Sequence, residues 1–277
     1  MIESTNNAQV KHLVRLNEKA KYRRACGLFL TEGLRMAREV PPERLEAIYI
    51  SQHFAAEHPQ EASDLIKKAI DAGACYERMT DAVFAKASGT VTPQGVLCVV
   101  RQKAVRPEEL FGAKRPLHLL LLEGVQDPGN LGTMLRTGEG AGLTGIIADE
   151  GTADLYNPKT VRATMGSIFR VPFVRVKDAA ACVRLLNERG IATAAMRPDA
   201  EAEFTDADFT GDIAFLIGNE GRGLSPQVSD AASMRIRIPM EGSLESLNAA
   251  VSAALCMYEA RRQRGLKHYA SDGNTAG

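Results

Sequence analysis

Apolar residues in this chain fall into short runs divided by polar, glycine- or proline-bearing stretches, and their spacing predicts alternating helices and strands. Val10, Leu13 and Val14 recur at helical spacing behind Asn6 or Asn7, either of which can cap a helix, and this opening helix is expected from about Asn7 to Arg24. A short apolar run covers Leu28 to Leu30, and a helical stretch covers Leu34 to Val40. Leu45 to Ile50 and Gly95 to Val100 read as strands, with a helix from Ser63 to Ala72. This alternation predicts a small α/β domain over 1–104. The stretch RQKAVRPEELFGAKRP is polar, charged and proline-bearing, and a linker is expected at 105–116. Beyond it, Leu117 to Leu122 is apolar at every position but one, as a strand covered on both faces of a parallel sheet must be. Gly145 to Ala148, Pro172 to Val176, Ile191 to Ala195, Ile213 to Ile217 and Arg235 to Ile238 are further predicted strands, with helical stretches between most of them. The second domain is therefore expected over 117–269, as an α/β domain with a mainly parallel sheet. The tail Ala270 to Gly277 is rich in Ser, Asp, Gly and Asn, and disorder is expected there.

Composition narrows the classes. With 45% hydrophobic and 25% charged residues among 277, the chain fits a globular protein that buries one large core or two modest ones. No apolar run approaches the roughly 18 residues that a membrane helix needs, and the start has no signal-peptide core, so a cytoplasmic location with no membrane partner is expected. The five cysteines are scattered without a CxxC pair, and no metal-ligand spacing stands out, so neither a disulfide framework nor a metal site is expected. Net charge is zero, but the opening helix concentrates Lys11, Arg15, Lys19 and Arg23 at spacings that can share one face. Such a row is either a solvated helix face or a footprint for RNA phosphates.

Three motifs in the second domain carry the chemistry. After the strand at 117–122 comes EGVQDPGNLGTMLR, in which Asn130 can cap a helix that carries Arg136 about two turns further on. After the strand at 213–217 comes GNEGRGL, with Glu220 set among Gly218, Gly221 and Gly223 at the end of a strand where open α/β sheets place ligands. Third is IRIPMEGSLESLN, in which Ser246 or Asn248 can serve the start of a long small-residue helix. A competing pattern, GxGxxG at 140–145, closes a helix and leads into a strand, the reverse of a dinucleotide loop.

In this order the three motifs resemble those of the SpoU-type RNA 2′-O-methyltransferases of the SPOUT superfamily, over about residues 117–265. FLTEG at 29–33 and TPQG at 92–95 resemble, more loosely, the family's N-terminal substrate-binding domain. The resemblance implies a C-terminal domain threaded into a trefoil knot, S-adenosylmethionine as cofactor, and a homodimer. It implies cofactor contacts at Gly218, Ile238 and Leu247, with Met240 and Asn248 nearby. It assigns proton removal to Arg136, supported by Asn130, Glu220, Ser246, Asn248 and Arg262, the last offered across a dimer. A guanidinium is ordinarily protonated, so Arg136 either accepts the hydroxyl proton or orients the hydroxyl and an adjacent phosphate. The substrate expected is structured RNA, ribosomal RNA first and transfer RNA as the alternative. Other classes are a non-catalytic RNA-binding protein of the same fold and a methyltransferase acting on something other than RNA.

Overall fold

The computed structural model describes residues 1–112 and 115–265. The expected disorder of 270–277 lies outside the described residues. The chain divides into two compact units: Met1–Ala104 with Asp154–Arg170, and Val105–Ala153 with the chain from Val171 onward.

In the first unit, α1 (Ala8–Glu18) begins on Asn7, whose side chain accepts a hydrogen bond from Gln9 N. Its buried face is Val10, Leu13 and Leu16. The helix expected to reach Arg24 breaks at Lys19, which is extended (φ −116°, ψ 105°), and a second helix α2 (Ala20–Cys26) follows. Then come β1 (Leu28–Glu32), α3 (Leu34–Glu39), β2 (Leu45–Ser51), α4 (Gln52–Glu57), α5 (Pro59–Asp71), β3 (Cys75–Met79), α6 (Asp81–Ser88) and β4 (Val96–Arg101). The strands form one sheet in the order β1-β4-β2-β3, with β2 and β3 parallel and the other pairs antiparallel.

The expected row of four cations on one helix face needs correction. Lys11, Arg15 and Lys19 are exposed, but Arg23 is buried. Its Nη1 donates to the carbonyls of Leu16 (2.8 Å) and Asn17 (3.0 Å), which closes the end of α1, where carbonyls lack helical partners. Its Nη2 donates to Asp154 Oδ2 at 2.6 Å. Arg23 is therefore a structural cation with no face left for RNA.

The second unit starts inside the expected linker. α7 (Pro107–Phe111) buries Leu110 completely in the core that holds Leu117 and Leu119, and Val105 and Phe111 pack against the same core, so this charged stretch is docked. Next come β5 (His118–Leu122), α8 (Pro128–Ala141) and β6 (Gly145–Asp149). The chain then contributes α9 (Pro158–Thr164) and a 3-10 turn to the first unit, whose limits are Asp154 and Arg170. There Val161, Thr164 and Ile168 are buried, and Phe29 sits 4.6 Å from the Tyr156 ring and 6.4 Å from the Phe169 ring. The second unit resumes with β7 (Phe173–Val176), α10 (Ala179–Glu188), β8 (Ala192–Met196), β9 (Ala202–Glu203), β10 (Ile213–Ile217), α11 (Pro226–Ala231), β11 (Met234–Arg237) and α12 (Ala249–Gln263). Its seven strands run in the order β7-β6-β5-β10-β8-β11-β9, and every pairing is parallel. α12 returns to pack on α8 and β10.

The structure makes a prediction about the buried pair. Arg23→Ala leaves the carbonyls of Leu16 and Asn17 and the Asp154 carboxylate without their cation, and should cost about 3 kcal/mol in denaturant unfolding. Lys11→Ala, on an exposed side chain, should cost under about 0.5 kcal/mol. Equal stability of the two variants would count against a structural role for Arg23.

Candidate functional site

In the second sheet β5 and β10 are neighbours, with β6 and β7 lying to one side and β8, β11 and β9 to the other. Strand order reverses there, and open parallel sheets form their ligand crevice outside the carboxyl ends of the strands at such a point. The first two motifs are the loops leaving those two carboxyl ends.

α8 is capped by Asp127 rather than by the expected Asn130: the Asp127 carboxylate accepts from Gly129 N and Asn130 N, and Pro128 occupies the first helical position. Asn130 lies in the first turn, and its side chain is free to reach outward. Its Nδ2 donates to Glu220 Oε1 at 3.0 Å, and its Oδ1 accepts from Asn248 Nδ2 at 2.9 Å. Glu220 also accepts from Gln126 N and Asp127 N, both at 3.0 Å. Partial burial pushes the Glu220 carboxyl upward, but the hydrogen bonds from Gln126 N, Asn130 Nδ2 and Asp127 N outweigh it and leave the group below the usual carboxylate range. Asn248 caps α12, with its Oδ1 accepting from Ala250 N (2.9 Å) and Val251 N (3.3 Å). One chain of hydrogen bonds thus joins the three motifs.

The loop after β10 is closed on itself. Asn219 N donates to Gly223 O (3.0 Å), and Gly223 N donates back to Asn219 O (2.9 Å). Asn219 Nδ2 donates to Gly124 O at 2.8 Å, which ties this loop to the one after β5. A Cβ on Gly218 would lie 2.2 Å from Gly223 C and Leu224 N. The requirement for glycine at 218 therefore comes from the loop's own backbone, before any ligand is considered.

The loop after β10, the segment after β11 and the start of α12 enclose a cavity of about 480 Å³, within the range of small-molecule sites. All the expected cofactor residues line it: Gly218, Ile238, Met240, Leu247 and Asn248, together with Glu220 and Ser246. The sequence reading overlooked Met196, Arg197 and Pro198, which line it from the carboxyl end of β8. Their signal was present, because the residues just past any strand of a parallel sheet face the crevice. Arg197 is held by Asp199 through Nε (2.8 Å) and Nη2 (2.7 Å).

Three expected catalytic residues lie outside the cavity lining: Asn130, which is bonded to Glu220 and Asn248 on its wall, and Arg136 and Arg262, which lie further away. Arg136 is exposed on α8, six residues or about 9 Å along the helix from Asn130, and its guanidinium has no partner among the described residues. Arg262 is about 20 Å along α12 from Asn248, and Glu259 holds it through Nε (2.9 Å) and Nη2 (2.7 Å). Its own chain does not bring it to the cavity. The GxGxxG run ends α8 at Ala141, with Gly142 as a left-handed cap (φ 79°), and enters β6 at Gly145, so it forms no phosphate loop. Among the described residues no histidine lines the cavity; His118 begins β5, at the end of the strand away from the loops.

Comparison with known proteins matches the chain in two segments, the second of which runs through 154–170. The SpoU rRNA Methylase family matches residues 118–258, and the MRM3-like substrate binding domain matches residues 7–98. The chain is similar to 23S rRNA (guanosine(2553)-2′-O)-methyltransferase RlmP of Bacillus subtilis, at 33% identity over 94% of this chain and 98% of that protein. It is also similar to 23S rRNA (guanosine-2′-O-)-methyltransferase RlmB of Ralstonia nicotianae, at 35% identity over 65% of this chain and 73% of that one. Among solved structures, the AdoMet-bound rRNA methyltransferase of Sinorhizobium meliloti superposes with a TM-score of 0.83, at 28% identity over 94% of this chain and 97% of that one.

The site geometry generates two expectations. Gly218→Ala should destabilise the second unit by roughly 1–3 kcal/mol, since the new methyl meets backbone, and should weaken S-adenosylmethionine binding more than tenfold. Calorimetry with and without the cofactor reads both, and a variant that binds normally would remove this constraint. Because the folded-state Glu220 carboxyl sits below 4.5, its stabilisation is complete above that pH and fades as pH falls through the folded value. The stability gap between wild type and Glu220→Gln should therefore close in acid. A gap that widens below pH 4.5 would show that the carboxylate is not the favoured form in the folded protein.

Proposed function

This chain belongs to the SpoU rRNA methylase family, and on that footing we propose that it transfers a methyl group from S-adenosylmethionine to a ribose 2′-hydroxyl of ribosomal RNA. The observation that carries the proposal is a cavity lined by the loop after β10, the segment after β11 and the start of α12, with the loop after β5 tied to its wall where Asn130 bonds Glu220 and Asn248. The trefoil knot belongs to the same fold: the chain leaves β10, runs out to β11 beyond β8, and returns as α12 onto α8 and β10.

The residues fit the cofactor. Gly218 brings main chain to the cavity wall, where loop amides and carbonyls can hold an adenine edge, while Ile238, Met240 and Leu247 supply apolar cover. When bound, S-adenosylmethionine supplies a sulfonium-activated methyl group, so positioning of the acceptor dominates the remaining barrier. Glu220 is committed to three hydrogen bonds in the loops, which suits it to hold shape rather than to take a proton. Arg136 has five N–H donors and no acceptor. Its exposed, unpartnered guanidinium is suited to orient the ribose hydroxyl and an adjacent phosphate, with phosphate or water taking the proton.

The first unit is read as the RNA anchor, on the exposed cations Lys11, Arg15 and Lys19. A homodimer is proposed through α12, where Val251 (47% exposed), Leu255 (38%) and Tyr258 (49%) form a stripe at spacings of four and three residues. Arg262 is then offered to the partner's site. The cytoplasm is the compartment that suits a ribosomal RNA substrate.

Incubation with methyl-labelled S-adenosylmethionine and separated ribosomal and transfer RNA tests the activity. Label is expected in alkali-resistant dinucleotides of ribosomal RNA. Label confined to transfer RNA would move the substrate, and unlabelled RNA of both kinds would overturn the activity. Arg136→Ala should lower transfer at least a hundredfold while cofactor affinity changes less than threefold, and Arg136→Lys should not rescue it, because an ammonium lacks the planar fork. Near-normal turnover in Arg136→Ala would remove the residue from the mechanism. Charge reversal at Lys11, Arg15 and Lys19 should weaken RNA binding and flatten its salt dependence, and an unchanged salt slope would make these a solvated face. Light scattering should give a dimer at micromolar concentration and a monomer for Leu255→Asp with Tyr258→Glu; a monomeric wild type would contradict the interface.

A further inference from the structure

The first unit contains a cavity of about 450 Å³ that has no part in the site described above. It lies among α4, the start of α6 and the loop before β4. The residues that decide its chemistry are His53, Phe54, Glu57, His58, Asp81 and Gln94. Phe54 is 8% exposed and stands 4.9 Å from the His58 ring, centroid to centroid, at 41°. His58 is exposed, so the pair presents an imidazole face backed by a buried phenyl ring. Asp81 Oδ1 accepts from His53 N at 2.9 Å, while Oδ2 has no hydrogen bond among the described residues. His53 Nε2 meets Glu57 Oε2 at 3.3 Å.

The lip of the cavity is fixed in advance. Glu32, 9% exposed at its side chain, accepts from Gln94 N (3.0 Å) and Thr90 Oγ1 (3.1 Å). Gly95 has φ +75°, and a Cβ there would stand 2.5 Å from Phe54 Cβ, so the loop rests directly on the aromatic pair.

Charge selects the ligand. The lining has two carboxylates, two imidazoles, an amide and a hydroxyl, and neither lysine nor arginine. A phosphate would meet repulsion from Glu57 and Asp81. A flat, neutral ligand with hydrogen-bond donors along one edge meets a stacking face and an open carboxylate oxygen. Of the four RNA bases, guanine presents adjacent N1–H and N2–H donors to a carboxylate. We propose that this cavity takes one unpaired guanine of the RNA substrate, stacked on His58 and hydrogen-bonded along its N1–H and amino edge to Asp81. The proposal rests on the RNA methyltransferase reading and adds to it a single base contact in the unit that carries Lys11, Arg15 and Lys19. Base stacking on aromatic side chains is a general means of holding unpaired RNA.

The full-length protein is titrated with GMP, AMP, CMP, UMP and inorganic phosphate and followed by saturation-transfer NMR. Ribosomal RNA affinity is measured in parallel for wild type, His58→Ala and Asp81→Asn. Asparagine keeps an oxygen for His53 N, so the start of α4 is preserved. GMP is expected to bind ahead of the other three nucleotides and of phosphate. Each variant should weaken GMP and RNA binding by at least about tenfold, as the loss of one stacked or paired base predicts. Melting temperature and S-adenosylmethionine affinity should be unchanged in both variants. GMP binding no better than phosphate, or variants that bind GMP and RNA as wild type does, would overturn the proposal. If wild type methylates no RNA while GMP binds as expected, the functional reading falls and the base site stands.

Discussion

A carboxylate with three hydrogen-bond donors on it holds three distant pieces of chain in one place. Glu220, at the end of β10, accepts from two backbone N–H groups after β5 and from Asn130, and Asn130 in turn accepts from Asn248 at the head of α12. Bonds from neutral donors to an ionised acceptor are stronger than neutral pairs, and here they also satisfy the backbone N–H groups of Gln126 and Asp127 just ahead of α8. Both ends of the arrangement depend on helix starts. Asp127 must cap α8 so that the Asn130 side chain is free, and Asn248 must cap α12 with its oxygen so that its nitrogen can point to Asn130.

Topology explains why this network borders a cavity. β10 inserts between β5 and β8, so loops from opposite wings of the sheet diverge at its carboxyl end and leave a crevice between them. α12 closes one side by packing on α8, where a Cβ on Gly138 would lie 2.7 Å from Leu143 Cδ2 and 3.4 Å from Met257 Sδ. Small residues in α8 are needed for that approach. Arg136, for which a catalytic role is proposed, stands outside the crevice wall on the same helix, exposed and without a partner among the described residues, as suits a group that meets a macromolecular substrate.

Much of this was legible in the sequence. The apolar runs at 119–122 and 213–217 became neighbouring central strands, because only a strand covered on both faces tolerates them. The residues quoted from the second and third motifs came together around one cavity. What escaped depends on tertiary contacts that leave little local trace. The break at Lys19 has no glycine or proline to mark it; it exists because Arg23 folds back on the end of α1. The stretch around Leu110 is polar and charged enough to read as a linker, and the burial of Leu110 depends on a core that includes Leu117 and Leu119. The transfer of 154–170 to the first unit rests on pairs such as Arg23 with Asp154, separated by more than a hundred residues. Asn130 was mistaken for the cap because Asp127 and Asn130 are both good capping residues, and only Pro128 at the first helical position separates them.

The central claim is that the three motifs act as one site because Glu220 and Asn248 are coupled through Asn130. A double-mutant cycle on S-adenosylmethionine affinity tests it directly, using Glu220→Gln and Asn248→Ser; serine can still cap α12 but is too short to reach Asn130. The account predicts a coupling of about 1 kcal/mol that vanishes when the cycle is repeated in an Asn130→Ala background. Effects that simply add, or a coupling that survives the loss of Asn130, would contradict it.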